Sequence, residues 1–479
     1  MRALDLTNYF DTLKLRKNKS NIKKIFFYRI CGTGMGATAA LMKDKGLQVE
    51  GFDLEFYPPM GDYLKKLQIP LLNKKPSIEK LKEFDLIVVG NVLARNSDEA
   101  EMIEKSGVSF CSFPAALGGL ILDDYTVLGL SGTHGKTTTT YFALQVFENL
   151  GQSCGYLIGG VLEGRKSSAA PNGKYFFIEA DEYDSAYFEK ISKFRLYRPN
   201  HLVLTSLEFD HADIFSSLDD IKDQFRALLK DFEGHYIYCD EYLASEELNN
   251  EFSLQGIPYG DNIKILEQGP HGTRFSIAND EFETNIIGRH NILNLSSVIL
   301  FALKEGFTPE QINKAIHGLK MVKRRQELKG TYKGAIVIDD FAHHPRAVEE
   351  TLSSIRCHYP EKQIVTIIEP NSATARSDLF QDEFTNALKK SDLVVVARPL
   401  KSTTVKNSND LDCNKMVEDL NKEAKKAYMA SKLEELLSII DNLTNDNRLL
   451  LILSNGTCLG LWKSTFSSQL TPVQPEVSC

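Results

Sequence analysis

No run of eighteen apolar residues occurs in the 479 residues of this chain, so it offers no helix able to cross a bilayer. Charges interrupt residues 1–21, which also lack the apolar core of a secretory signal. Cysteine is sparse and scattered: eight residues, at 31, 111, 154, 239, 357, 413, 458 and 479, form no Cys-x-x-Cys pair. That pattern argues against a thiolate zinc site and a disulfide framework, and predicts mostly free thiols. An excess of positive charge is missing too. The 56 Lys and Arg against 64 Asp and Glu leave a formal charge of −8. Such a chain has no broad attraction for nucleic acid, and a nucleotide has to be held by local positive features. No internal repeat or low-complexity linker is visible. What is present is enough apolar material, 42% of residues, for several cores, and about three domains is the natural expectation. The composition predicts a soluble cytoplasmic protein with no membrane insertion and no nucleic-acid partner.

The most informative stretch is Gly132-Thr133-His134-Gly135-Lys136-Thr137-Thr138-Thr139. A buried-strand pattern at 125–130 precedes it and a helical pattern through 142–147 follows. This is the setting of a phosphate-binding loop. Glycines let backbone N–H groups approach phosphate oxygens, the helix points its positive end at them, Lys136 adds a cation and Thr137 a hydroxyl for Mg²⁺. The spacing departs from the common motif, since Gly132 lies three residues before Gly135. A glycine-rich turn before an ordinary helix is the bland alternative.

Before this loop, a strand pattern at 23–30 leads into Cys31-Gly32-Thr33-Gly34-Met35-Gly36-Ala37, a helix to about Lys45, and a second strand, Gln48 to Phe52, ending at Asp53. Glycines at 32, 34 and 36 give G-x-G-x-G, not the dinucleotide G-x-G-x-x-G. The turn either takes a nucleotide pyrophosphate or is tight for packing alone. A third strand, 85–90, ends at Asn91, at the edge where open α/β sheets bind ligands.

After the loop, strand 175–178 runs into Glu179-Ala180-Asp181-Glu182-Tyr183-Asp184, with Glu179 read as the first residue off the strand. Strand 201–205 runs into Glu208-Phe209-Asp210-His211-Ala212-Asp213. Carboxylates delivered beside a phosphate loop suit a Mg²⁺ that bridges nucleotide phosphates. The alternatives are a solvated acidic helix start, and for His211 a hydrogen-bonded surface histidine. Farther on, Lys323-Arg324-Arg325-Gln326-Glu327-Leu328 leads into a strand at 334–338 and then Asp339-Asp340-Phe341-Ala342-His343-His344-Pro345. Two acids and two histidines at one strand end suggest a site, against a polar loop with an Asp helix cap. Strands at 363–368, 392–397 and 449–453 make this part doubly wound as well.

Taken in order, these segments resemble the Mur ligases, the ATP-dependent amide-forming enzymes of peptidoglycan metabolism, over about residues 24–460. The resemblance is carried by the 132–139 loop, Ile178-Glu179-Ala180-Asp181-Glu182, Asp210-His211, Gly288-Arg289-His290-Asn291-Ile292-Leu293-Asn294, Arg324-Arg325 and 339–345. It implies an α/β fold of three domains: a Rossmann-like UDP-sugar domain at 1–122 with an extension at 1–22, a central P-loop ATP domain at 123–321, and a Rossmann-like acceptor domain at 322–479. It implies ATP and Mg²⁺ as cofactors, with ATP phosphorylating the lactoyl carboxylate of UDP-N-acetylmuramate and an amine attacking the acyl phosphate. Thr137 and Glu179 become ligands of the Mg²⁺ on the ATP phosphates, and His211 a ligand of a second Mg²⁺ near the acyl oxygen. His290, Asn291 and Asn294 contact adenine, Asp340 the ribose and Arg325 a phosphate; His343 or His344 lies near the reacting amine. The loop Gly32, Thr33, Gly34, Met35, Gly36 holds the UDP pyrophosphate, with Asp53 and Asn91 near uridine.

Within the family, 57–60, Gly90-Asn91, 182–188, 192–194, 207–215 and Glu369-Pro370 are more similar to the branch that takes an L-alanyl-γ-D-glutamyl-meso-diaminopimelate tripeptide, in cell-wall recycling, than to the branch that takes free L-alanine. Two positions depart from that branch: Asn371 stands where it carries Arg, and Ser454-Asn455-Gly456-Thr457-Cys458 where it carries Ser-Asn-Gly-Gly. Arg376 is a candidate replacement cation for a peptide carboxylate. Two rival classes exist. A nicotinamide dehydrogenase leaves the 132–139 loop without a role, and a nucleotide switch predicts ATP turnover independent of any amine.

Overall fold

The computed structural model describes all residues except 1, 161, 163, 171, 231, 270, 424, 425 and 473–479. The described residues form two compact units, the first holding 1–208, 219–261 and 297–315, the second 209–218, 262–296 and 316–479.

Among the described residues, the first unit contains two large sheets and a small two-stranded antiparallel one, Asp184–Ala186 with Glu189–Ser192. A five-stranded parallel sheet has Lys24–Tyr28 at its centre, flanked by Gln48–Phe52 and Leu71–Leu72 on one side and Leu86–Val89 and Ser109–Ser112 on the other. The order reverses between Lys24–Tyr28 and Leu86–Val89, which opens a crevice at their carboxyl ends, where Gly32 and Asn91 lie. A seven-stranded sheet follows, with Thr126–Ser131 between His201–Leu204 and Tyr175–Glu179. Its strands are parallel except for Ser168–Ala169, which runs antiparallel to Cys154–Leu157 at one edge. Glu179 is the last residue of its strand, one position earlier than the sequence reading that set it just outside, because its backbone still pairs opposite Leu130.

The second unit contains a three-stranded antiparallel sheet, Ile263–Gly269, Gly272–Ile277 and Asp280–Thr284, and a six-stranded sheet. In the latter, Glu327–Tyr332 runs antiparallel to Ala335–Asp340, and Arg448–Ser454, Gln363–Glu369, Leu393–Ala397 and Lys426–Ala430 continue in parallel. Sequence patterning ended the second strand at Ile338; it extends through Asp339 and Asp340, which pair opposite Ile452 and Leu453.

Strand Arg448–Ser454 shows why such sheets read as continuous apolar runs. Leu449, Leu451 and Leu453 pack on one face with Val348 and Leu352, while Leu450 and Ile452 pack on the other with Leu436 and Ile440. Side chains alternate across a pleated strand, so a strand covered by helices on both faces needs apolar residues at every position. Seven of the cysteines are free and Cys479 lies outside the described residues.

Candidate active site

The phosphate loop is the turn between strand Thr126–Ser131 and helix Lys136–Asn149. Gly132 has φ 131° and Gly135 φ 85°, in the left-handed region, and a Cβ at Gly132 would lie 2.4 Å from Thr205 Oγ1. Glycine is therefore dictated at both positions. The neighbouring strand end buttresses the turn. Thr133 N–H donates to the Ser206 carbonyl (3.0 Å), His134 N–H to Ser206 Oγ (2.8 Å), and Thr133 Oγ1 to the Glu208 carbonyl (3.1 Å). The loop thus stands rigidly at the start of a helix whose first-turn N–H groups have no partner within the helix.

Lys136 reaches back over this turn. Its Nζ donates to the Gly132 carbonyl and lies 3.2 Å from Glu182 Oε2, a carboxylate only 4% exposed. Burial pushes the ammonium pKa down, but Glu182 and Asp181 outweigh it and hold the pKa above its ordinary value, so Lys136 is a cation at neutral pH. Glu182 was legible only as one acid in a cluster; its role as the partner of Lys136 needed the fold. Asp181 turns instead to Lys193, at 2.8 Å.

Thr137 and Glu179 are in contact. Thr137 Oγ1 donates to Glu179 Oε2 (3.0 Å), and the other carboxylate oxygen accepts from Gly159 N–H (2.6 Å). Burial raises the Glu179 pKa against the pull of Gly159 N–H, the Thr137 hydroxyl and Lys136. A carboxylate and a hydroxyl held in contact beside a phosphate loop are a hard oxygen donor set, which fits Mg²⁺.

His211 belongs to the second unit, together with Asp210, His343 and His344. Its backbone is left-handed (φ 57°), and its N–H donates to Asp210 Oδ1 at 2.6 Å. Burial raises the Asp210 pKa, but the imidazoles of His211, His343 and His344 and that N–H bring it below the usual carboxylate range. His343 Nδ1 pairs with the Phe341 carbonyl (2.9 Å), and the His344 ring packs edge-on to Phe380. Burial lowers both histidines, His344 to about 4, against the attraction of Asp210. They are neutral at pH 7 and able to accept a proton.

In the same unit, His290, Arg325 and Asp340 gather around Gln326, a residue to which sequence reasoning gave no role. Gln326 Nε2 is 3.3 Å from His290 Nε2, its N–H donates to Asp340 Oδ2 (2.7 Å), and its side-chain oxygen accepts from Ser354 (3.1 Å). The Arg325 guanidinium carbon lies 4.9 Å from the centre of the Phe341 ring. Burial holds His290 at about 4, so its ring is an uncharged donor and acceptor. Asn291 and Asn294 are buried in helix Arg289–Lys304, and Asn291 Nδ2 donates to the Ile287 carbonyl (3.0 Å).

In the first unit, Gly34 and Gly36 have packing reasons: a Cβ would lie 2.9 Å from Phe113 Cζ and 2.2 Å from Met60 Sδ. Gly32, the cap of helix Thr33–Asp44, has open space before it. Thr33 and Met35 follow it in the first turn, and Asp53 supports the loop by accepting from Cys31 N–H at 2.8 Å. Asn91 is exposed.

Arg376 has a bracing role that sequence did not show: Nη1 donates to the Asn371 carbonyl, tying down the Glu369-Pro370-Asn371 turn. Glu369 is itself buried, accepting from Ser454 Oγ (2.6 Å), Cys458 N–H (2.8 Å) and Leu459 N–H (3.1 Å). Glu369→Ala leaves these buried donors without their acceptor and is expected to cost about 3 kcal/mol. Urea denaturation followed by circular dichroism measures it, and a loss under about 0.5 kcal/mol, the scale of an ordinary surface change, would remove this anchor.

Three family models match the chain: "Mur ligase family, catalytic domain" over 24–125, "Mur ligase middle domain" over 130–302 and "Mur ligase, glutamate ligase domain" over 324–456. The UDP-N-acetylmuramate–L-alanyl-γ-D-glutamyl-meso-2,6-diaminoheptandioate ligase of Haemophilus influenzae is 32% identical, covering 92% of this chain and 98% of that protein. A UDP-N-acetylmuramate–L-alanine ligase of Streptococcus thermophilus is 30% identical over 95% of this chain and 100% of that protein. The crystal structure of the murein peptide ligase of Psychrobacter arcticus is 27% identical, with a TM-score of 0.64 over 95% of this chain and 100% of that one.

Proposed function

The chain belongs to the Mur ligase family, whose members are ATP-dependent amide ligases, and on that footing we propose that it joins L-alanyl-γ-D-glutamyl-meso-diaminopimelate to UDP-N-acetylmuramate. The observation that carries the acceptor is the similarity to the Haemophilus tripeptide ligase along nearly the whole chain. In this reading a lactoyl carboxylate oxygen attacks the γ-phosphorus of ATP and ADP leaves. The amine of the L-Ala end then attacks the acyl carbon, phosphate leaves, and the amine proton passes to a base.

The residues divide that work. Gly132, Thr133, His134, Gly135 and Thr138 cradle phosphates, and Lys136 offsets the repulsion between two anions and the charge spreading over the transferring phosphoryl group. Thr137 and Glu179 would hold a Mg²⁺ that would offset phosphate charge, and His211 would hold a second Mg²⁺ near the acyl oxygen. His290, Asn291 and Asn294 form the adenine side, with Asp340 toward the ribose and Arg325 toward a phosphate. The neutral His343 or His344 takes the amine proton, and Asp210 then stabilises the imidazolium. Gly32 to Gly36, Asp53 and Asn91 receive the UDP portion. The working domains are 1–122, 123–321 and 322–479, and a cytoplasmic place in peptidoglycan recycling follows from these substrates.

Phosphate release with ATP, Mg²⁺ and UDP-N-acetylmuramate, adding either the tripeptide or L-alanine, tests the reading. The tripeptide is expected to give a kcat/KM on the order of 100-fold higher, because its remote carboxylates supply binding energy that orients the amine. A higher value with L-alanine would make the chain an L-alanine ligase. Release that ignores both amines would favour a nucleotide switch.

A further inference from the structure

At the end of the seven-stranded sheet opposite the phosphate loop, a cavity of about 690 Å³ opens beside Thr126 and His201, the first residues of their strands. Its size lies in the range of small-molecule sites, roughly 300–1,000 Å³. Arg16, Arg195 and Arg198 line it, against two carboxylates, Asp123 and Glu233. Nothing in the proposed ligation uses it.

The arginines are unevenly satisfied. Arg16 Nη1 lies 2.7 Å from Asp123 and Nη2 donates to the Gly118 carbonyl (3.3 Å), but its buried Nε has no hydrogen-bond partner. Among the described residues, the guanidiniums of Arg195 and Arg198 make no hydrogen bond or ion pair. Arg198 is held at this position by a left-handed backbone (φ 50°), as the cap of helix Lys193–Tyr197 that carries Arg195. Burial lowers the Arg16 pKa, and the charge of Arg198 lowers it further against the pull of Asp123. A bound anion relieves such like-charge crowding. Planar guanidinium forks match phosphate oxygens two at a time. Tyr125, His201 and Phe232 add flat rings to the wall, and His201, held at about 4 by burial, is uncharged at neutral pH.

We propose that this cavity is a second ligand site, taking a small molecule that carries a phosphate or diphosphate group. Arg195 and Arg198 grip the phosphate oxygens and Arg16 Nε donates from below. The wall draws on both the amino-terminal segment, through Arg16 and Asp123, and the central sheet, through Thr126 and His201, so an occupant ties these two parts of the unit together.

Calorimetric titration of the full chain tests the site, with the phosphate loop first saturated by Mg²⁺ and a non-hydrolysable ATP analogue. Inorganic pyrophosphate and ADP are the probes. Saturable binding is expected in the wild type, with Kd raised about tenfold or more in Arg195→Gln/Arg198→Asn, since two charge-assisted grips are lost. Asparagine tolerates the left-handed backbone, so the melting temperature should hold. Arg198→Lys keeps the charge without the fork and should weaken binding less. ADP binding more tightly than pyrophosphate assigns the flat rings to a nucleoside; equal affinities assign recognition to the phosphates alone, and either supports the site. No binding by the wild type at low-millimolar probe, or a Kd unchanged in the double variant, overturns it. The outcome is independent of which amine the enzyme ligates.

Discussion

Lys136→Ala is expected to lower turnover about a hundredfold or more, the scale seen when a preorganised charge-stabilising donor is removed. In the proposed reaction the ammonium acts where charge spreads over the transferring phosphoryl group, so the loss should fall mainly on kcat. The structure adds a second consequence. Glu182 is buried and loses its cation in the variant, which is expected to cost up to about 3 kcal/mol of stability. The two effects separate in Lys136→Ala/Glu182→Gln, which should recover much of the melting temperature and none of the activity. Near-normal turnover in Lys136→Ala would sink the phosphate-loop assignment.

Glu179→Gln is expected to reduce turnover by a comparable factor, about a hundredfold, by replacing an anionic oxygen ligand with a neutral amide. The diagnostic readout is the Mg²⁺ titration of initial rate, whose midpoint should move to higher concentration. The amide oxygen can keep accepting from Gly159 N–H while the amide NH2 donates to the Thr137 hydroxyl, which can accept as well as donate, so the loop geometry should survive. His211→Ala tests the second proposed ligand in the same titration. A Mg²⁺ midpoint unchanged in both variants would remove Glu179 from the proposed ATP-phosphate Mg²⁺ and His211 from the proposed second one.

The strand, turn and helix around 132–139 were legible because the pattern is local: the glycines, the lysine and the threonine are contiguous, and the strand and helix have distinct periodicities. Most strand positions were legible for the same reason, since two-sided burial writes an unbroken apolar run. What escaped the sequence is pairing at a distance. Nothing near Lys136 in the chain marks Glu182, forty-six residues away, as its partner. Gln326 reads as one polar residue in a basic run, yet it binds His290, Asp340 and Ser354. At Arg376 the charge that suits a peptide carboxylate is visible in sequence, and the Asn371 carbonyl that it also braces is not. Glycines 34 and 36 show the same limit: the ligand motif is visible in sequence, and the close approach of Phe113 and Met60 that also requires glycine there is not.

The contact between Lys136 and Glu182 also sets the resting state of the loop: the ammonium already holds a buried carboxylate at 3.2 Å, so a phosphate that takes up the cation in the proposed reaction shares it with Glu182 or displaces that carboxylate. A cation held in this way is aimed before any anion arrives, and its side chain has little rotamer freedom left to lose on binding.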